Sequence, residues 1–433
     1  MIQEIKNFIE HISQKDEEVF SRNLQLKEGI YVLLDIEKQK DEYVLINEKE
    51  VFETKEDILV FDTKNEIENP TLYKKFLSLQ INSTVVGSGK NKSFNSSSGI
   101  FMFTANPFAI ALKKERYSLE IDDSVRAYFK AAQSYVKEQK HLDWLDSFRG
   151  FCESKLLQLI PQISEFEELN KKNLIYFFLK NPTLADFSVV HQAYLSEKVF
   201  NKDKFNVKIE DTTFGISDNL SGFNDKKMFL KHFTAPLEYN FRVDGEVAMQ
   251  LWRFFELQKN KQIPNPVPVF VDRQELNEKM ISIFQSDKEQ KMGHAQMIKN
   301  ILGKSDSQSL QNYYLIYFQG TKGSRIVDID FVPMFKYEEK EAIIQEIFPL
   351  GGKQSSKKIE TVFDLENHVF NRIFNGQLKT DTWLKYFGEL EYNPKYMTHT
   401  VYNQLLRYRQ AIYDFVYKSK RQAITKVMSC LTI

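Results

Sequence analysis

Cysteine is scarce in this chain: Cys152 and Cys430 stand far apart among 433 residues. No Cys-x-x-Cys pair is present, so neither a zinc ribbon nor a disulfide framework is supported. Sparse cysteine fits a reducing compartment, and a cytoplasmic protein is expected. Long apolar runs are missing as well. Nothing reaches the roughly 18 apolar residues of a membrane span. The longest apolar clusters, such as Leu174–Leu179, have the length of core elements. Met1–Glu10 alternates charged and apolar residues and has no apolar h-region, so no signal peptide is expected there. An excess of one charge is also lacking, since Lys+Arg and Asp+Glu both total 59. A stand-alone nucleic-acid binder usually carries a basic surplus. The balance argues against a large unshielded phosphate-binding surface. It allows local basic patches, or partners that supply most of the phosphate contacts.

Familiar catalytic signatures are missing too. Gly87-Ser-Gly-Lys90 lacks the upstream glycine and the following Ser/Thr of a P-loop. Neither a Gly-x-Ser-x-Gly elbow nor a His-Glu-x-x-His helix occurs. The seven histidines are scattered, and none pairs with Cys, His or a carboxylate at metal-ligand spacing. No metal or cofactor is expected, and the chain reads as a non-enzyme. One weak nuclease-like pattern remains as an alternative: Asp328 and Asp330 on a strand, followed by Glu338 and Lys340. Asp330, Glu338 and Lys340 could hold Mg²⁺ and orient a water if they shared adjacent strands. Pro333 intervenes, and Glu338–Glu341 also reads as a charged helix start.

What is abundant is aromatic: 36 Phe and 20 Tyr. Core packing accounts for most of these rings, and some could line a stacking groove. The length implies two or three domains. Ile2, Ile5, Phe8, Ile9 and Ile12 fall on one helical face within residues 1–20. Gly29–Ile36, Tyr43–Ile46 and Ile58–Phe61 read as strands of a small sheet. Ser124–Ile160 is helical, and Leu174–Leu179 is a buried helix or strand. Glu246–Lys259 is a helix ended by Pro264, Pro266 and Pro268; Val267–Val271 is a buried strand and Glu275–Phe284 a helix. Tyr313–Phe318 and Ile326–Phe331 form a hairpin. Beyond the linker Gly351–Lys358, helices are expected over Val362–Phe374, Thr380–Leu390 and Tyr396–Met428. The fold class is α+β. Three regions are expected: a mixed domain over 1–160, a central α+β domain over 161–350, and a helical region over 351–433. The helical run ends at Met428–Ile433 without a cap, so a truncated C-terminus is expected.

Four local clusters carry the candidate contacts with nucleic acid. The Gly/Ser/Asn loop 82–99 holds Lys90, Asn91, Lys92 and Asn95, with Phe94 as an exposed aromatic candidate. A solvated linker would have the same composition. Asn201–Asn206 holds Lys202 and Lys204, either of which Asp203 could pair. The irregular stretch around Asn219 and Phe223 holds Asn224, Lys226, Lys227, Lys231 and His232. Polar donors on a loop beside a Phe suit phosphate and base-edge contacts. The last helix carries Arg407, Arg409, Lys418, Lys420 and Arg421 among Tyr402, Tyr413 and Tyr417, with Asp414 the only opposing acid on it. Such a face could track a single strand, or be the solvated side of a core helix.

Phe214–Pro236 and Lys259–Lys279 resemble segments of the large subunit of the subtype I-B CRISPR surveillance complex. Asn201–Asn206, Tyr313–Phe318, Asp328–Phe335 and Tyr408–Arg421 are similar to it too. The likeness covers most of residues 170–425 and thins across 1–160. It implies a non-catalytic subunit at the foot of the complex, contacting the 5′ end of the guide RNA. Such a subunit inspects the protospacer-adjacent motif in double-stranded target DNA and helps to open it, while base pairing with the guide reads the sequence. The implied partners are guide RNA, target DNA, the backbone subunits and a helicase-nuclease recruited afterwards, with no membrane; the implied role is antiviral defence. Family members are usually longer at the C-terminus, where a helical bundle lines the displaced strand. Some carry cysteine clusters, and this chain has none, so no zinc is carried over. A protein-only scaffold is a further alternative.

Overall fold

The computed structural model describes residues 1–15, 17–22, 24–40, 42–86, 92–94, 102–117, 122–219, 241–286, 293–302, 309–319, 325–338, 359–380 and 383–425. Among them the strands are β1 (Gly29–Leu34), β2 (Ile36–Gln39), β3 (Glu42–Leu45), β4 (Ile58–Phe61), β5 (Ala109–Lys113), β6 (Leu174–Leu179), β7 (Val207–Ile209), β8 (Thr212–Gly215), β9 (Val243–Asp244), β10 (Val267–Phe270), β11 (Ser309–Gln319) and β12 (Arg325–Lys336). The helices are α1 (Ile2–Lys15), α2 (Pro70–Ile81), α3 (Asp122–Ala132), α4 (Gln139–Ser154), α5 (Leu156–Leu159), α6 (Leu184–Lys198), α7 (Gly245–Lys259), α8 (Gln274–Ser286), α9 (His294–Leu302), α10 (Val362–Leu365), α11 (Asn371–Ile373) and α12 (His399–Lys418). The class is α+β, with small separate sheets and helices through the C-terminal region.

The chain forms two compact units, Leu24–Met249 and the pairing of Met1–Asn23 with Gln250–Ile433. Sequence placed divides at 160/161 and 350/351; in the structure β6 shares a sheet with β1, β4 and β5.

In the unit of Leu24–Met249 the sheet runs β4-β1-β6-β5. Its inner pair, β1 and β6, is parallel, with Gly29 opposite Leu174 and Leu34 opposite Leu179. Every residue of both strands is buried. A strand covered on both faces has no polar side to show, which is why Ile30–Leu34 and Leu174–Leu179 are continuous apolar runs. Tyr31 stacks on its in-register partner Tyr176 with ring centroids 4.7 Å apart. Gly29 is required where the strands begin: a Cβ there would lie 1.9 Å from the Leu174 carbonyl oxygen. β2 and β3 pair separately as a hairpin, so the expected three-strand sheet divides. Two helices lie where periodicity names none. α2 starts with Asn69 accepting from the Leu72 amide and Pro70 at its first turn. α6 starts with a capping box between Thr183 and Asp186.

In the other unit, α1 buries Ile5, Phe8, Ile9 and Ile12, and Phe8 meets Phe254 edge-on at 5.8 Å. The sheet runs β10-β11-β12, and the 11- and 12-residue strands β11 and β12 form the expected hairpin. Asn265 pins its neighbour: its amide donates to the Phe318 carbonyl at 2.8 Å and accepts from the Phe318 amide at 2.9 Å. Residues 383–390 are not helical, contrary to the expectation for Thr380–Leu390. Lys379 bridges to Leu384 instead, and Tyr386 is drawn into the core, where its hydroxyl donates to Glu366 at 2.6 Å. The expected single helix over Tyr396–Met428 runs only to Lys418. There Ser419 takes a left-handed conformation (φ 55°), before a short helical piece over 421–425.

Candidate nucleic-acid interface

In the unit of Leu24–Met249, the tripeptide Lys92–Phe94 folds inward. The Lys92 side chain is 8% exposed. Its ammonium donates to the Lys198 carbonyl at 2.9 Å and to the Phe200 carbonyl, with the Asp218 carboxylate 3.8 Å away. Burial lowers the Lys92 pKa below the ordinary lysine value, while Asp218 and Asp203 act in the opposite direction. Expected as a phosphate contact, Lys92 is thereby corrected: its donors are turned to backbone carbonyls and a carboxylate. Phe94, expected to be exposed, packs among Tyr128, Tyr135 and Tyr194 at 5.1–5.4 Å. Nothing in a Gly/Ser/Asn-rich context announces that burial, because the tyrosines arrive from α3, from the turn at 133–135 and from α6. Lys90, Asn91 and Asn95 lie outside the described residues.

The strip from Asn201 to Asn219 faces solvent more openly. Asp203 pairs with Lys198 on the preceding helix. Lys202 is half-buried, and Lys204 is exposed with its ammonium 4.8 Å from the Phe205 ring centroid. β7, β8 and β9 make a three-stranded sheet with β7 at its edge. Lys208 on β7 is exposed, flanked by Val207 and Ile209, which are 40% and 58% exposed. Arg242 holds the strip from behind, donating to the Phe205 carbonyl at 3.0 Å. The sequence reading passed over Lys208; its signal was the Val-Lys-Ile alternation next to the Asn201–Asn206 cluster. Gly215 closes β8 where a Cβ would meet the Phe200 ring at 2.5 Å. Asn224, Lys226, Lys227 and Lys231 lie outside the described residues.

In the unit containing Gln250–Ile433, α12 does not present a free basic stripe. Lys418 is enclosed by Asp414 at 2.8 Å, Asp328 at 2.9 Å and Asp330 at 3.3 Å, and Lys420 also pairs with Asp330. Asp414 is therefore not the only opposing acid, since β12 brings two more. Burial disfavours charge on Lys418, but Asp414 and Asp328 outweigh it and raise its pKa. Burial likewise opposes ionisation of Asp330, and Lys420 and Lys418 overcome it, so its pKa is lowered. Arg409 donates to the Gly388 carbonyl at 2.6 Å and is half-buried, a structural tie rather than an open donor. Arg407 is exposed, its guanidinium 5.3 Å from the Tyr408 ring centroid. Tyr413 and Tyr417 are core residues, not a stacking platform. Exposed rings include Trp383, with Lys261 5.6 Å from its centroid, and Tyr396. Both were missed, because isolated aromatics carry no sequence signal of exposure.

The strand carboxylates of the nuclease-like pattern are already paired. Asp328 and Asp330 face lysines, the Glu338 backbone bridges to Thr361, and Lys340 lies outside the described residues. Among the described residues no group of three His, Cys, Asp or Glu side chains could hold a metal ion. The most unusual buried acid is Glu366, fully enclosed and bonded by Tyr386 at 2.6 Å, Tyr417 at 3.0 Å and Lys379 at 3.1 Å. It is closed off within the core and paired there with Lys379. Among the described residues no helix is long and apolar enough to cross a membrane.

Compared with protein-family models, with curated proteins and with solved structures, the chain has no match.

Proposed function

We propose that this chain is the non-catalytic, nucleic-acid-binding large subunit of a CRISPR RNA-guided surveillance complex of subtype I-B. In this reading it works in the cytoplasm, contacts the 5′ end of the guide RNA, and inspects the protospacer-adjacent motif of double-stranded target DNA. The observation that carries it is the extended likeness of Phe214–Pro236 and Lys259–Lys279 to that subunit. The placement of exposed Lys204 and Lys208 on the strip just before Phe214–Pro236 supports it. So does the zero net charge, which suits a subunit whose neighbours hold most of the guide RNA.

The test is co-expression with the backbone subunits and a guide RNA, followed by size-exclusion chromatography. Co-elution with RNA, and target-duplex binding that is lost when the chain is omitted, is the expected result. Elution of this chain alone, with an otherwise intact complex that binds target normally, overturns the proposal. Incubation of the purified chain with Mg²⁺ or Mn²⁺ and plasmid separates the nuclease alternative: cleavage abolished by Asp330→Ala would establish it.

A further inference from the structure

The Lys92 ammonium sits where a helix ends. The last residue of α6 is Lys198, and the carbonyls of Lys198 and Phe200 both accept from Lys92. Carbonyls in the final turn of a helix have no intrahelical donor, and the negative end of the helix dipole favours a cation there. An ammonium has three donors and no acceptor. Here it meets two carbonyls and, at 3.8 Å, the carboxylate of Asp218. Three separate pieces of chain therefore converge on one charge: the tripeptide 92–94, the end of α6, and the strip Ile216–Asn219.

Each piece is also held by a second contact. The Tyr194 hydroxyl on α6 donates to the Lys92 carbonyl at 2.9 Å and accepts from the Val86 amide at 3.1 Å. Phe200 bridges to Ser217, and the Asn201 amide donates to the Ile216 carbonyl at 2.7 Å. The Asn201 side-chain amide reaches Asp218 as well. Asp218 and Asn219 are the last described residues before Leu220.

We propose that Lys92 is a positioning residue: its ammonium is a tethered cation that caps α6 from outside and holds Ser217–Asn219 beside the helix end. Resting on the functional reading above, nucleic-acid affinity then depends on Lys92 although Lys92 touches no phosphate.

Lys92→Ala should lower the melting temperature by roughly 2–8 °C, the range for two carbonyls losing a charged donor in a unit of this size. Amide exchange at Asn201 should quicken. n-Propylammonium chloride supplies the atoms from Cγ to Nζ that the substitution removes, and should restore both readings in the variant. Tetramethylammonium chloride, which has no N–H, should restore neither. A variant that melts like the parent, or that both salts rescue equally, overturns the proposal. Should Lys92→Ala fail to fold, acetic-anhydride labelling of the unaltered protein decides. Lys92 should react at least about tenfold more slowly than Lys204 and Lys208, because a buried amine reacts only through local opening. Equal labelling overturns the proposal.

In the assembled complex, Lys92→Ala should weaken target-duplex binding at every salt concentration with an unchanged slope of log affinity against log salt. A slope reduced by about one phosphate contact, or unchanged affinity, overturns the positioning role. If the unaltered complex binds no duplex at all, the functional reading fails, and the melting and rescue results still decide what Lys92 does.

Discussion

The two main sheets bury themselves by different means. In the unit of Leu24–Met249, β1 and β6 are inner strands with every side chain covered, and their cohesion is apolar and aromatic. In the other unit, β12 is an edge strand: Ile329, Phe331 and Met334 are 36–48% exposed, while Asp328 and Asp330 meet Lys418 at the end of α12 and Lys420 just beyond it. One sheet is held by surface removed from water. The other is joined to its helix by compensated charge. The first arrangement is insensitive to salt and pH, and the second is sensitive to both.

Breaking an inner strand should have the largest effect on this contrast. Phe177→Ala on β6 removes a fully buried ring and should cost about 3–5 kcal/mol in chemical denaturation. Phe331→Ala on β12 should cost roughly 0.5 kcal/mol or less. Comparable losses at the two positions would erase the distinction between the sheets.

Acid reveals a feature the two units share. Burial pushes His191 and His294 down to about 4, and each carries a hydrogen bond to a backbone carbonyl at 2.8 Å. Their unfolded value is about 6.5, so between about 6.5 and 4 the unfolded chain binds protons that the folded chain does not. Stability therefore falls as pH drops through that window, by an expected total of about 3 kcal/mol per histidine. His191→Gln and His294→Gln should each flatten the pH dependence of urea midpoints. An unchanged profile in both would reject the assignment.

The charged junction comes next. Lys418→Met takes this partner from Asp328 and Asp414, while Asp330 keeps Lys420, and should cost about 2–3 kcal/mol. The sign with pH follows from the two shifts. Asp330 is lowered in the fold, so its contribution is present above its unfolded value and is lost as pH falls through the folded one. Lys418 is raised, so its contribution is lost only as pH rises through the folded value. The Met variant should lose stability less steeply below pH 4 than the parent in thermal melts; parallel curves would dismiss the pairing. The smallest stability effect is expected for Lys204→Ala combined with Lys208→Ala, within roughly 0.5 kcal/mol per site. That pair should instead reduce the salt slope of duplex binding in the complex, and an unaltered slope would remove the strip from the interface.

Much of the architecture was legible in the chain because apolar patterning is local. Leu174–Leu179, Gly29–Leu34, the face of α1 and the β11–β12 hairpin all announce themselves in contiguous residues. The divide between units was not, since β6 joins β1 across about 140 residues and only tertiary pairing places it there. Candidate contacts were legible as composition but not as orientation. Lys92 and Lys204 have similar polar neighbours in sequence, and Arg407 and Arg409 stand two apart on one helix.

Sequence alone determined the α+β class and the balance of charge, which depend on near neighbours or on counts. Only the tertiary structure decided which cations face water. A lysine turns inward when distant carbonyls and carboxylates converge to meet it. Lys198, Phe200 and Asp218 converge on Lys92, and Asp328 and Asp330 on Lys418, from positions far along the chain.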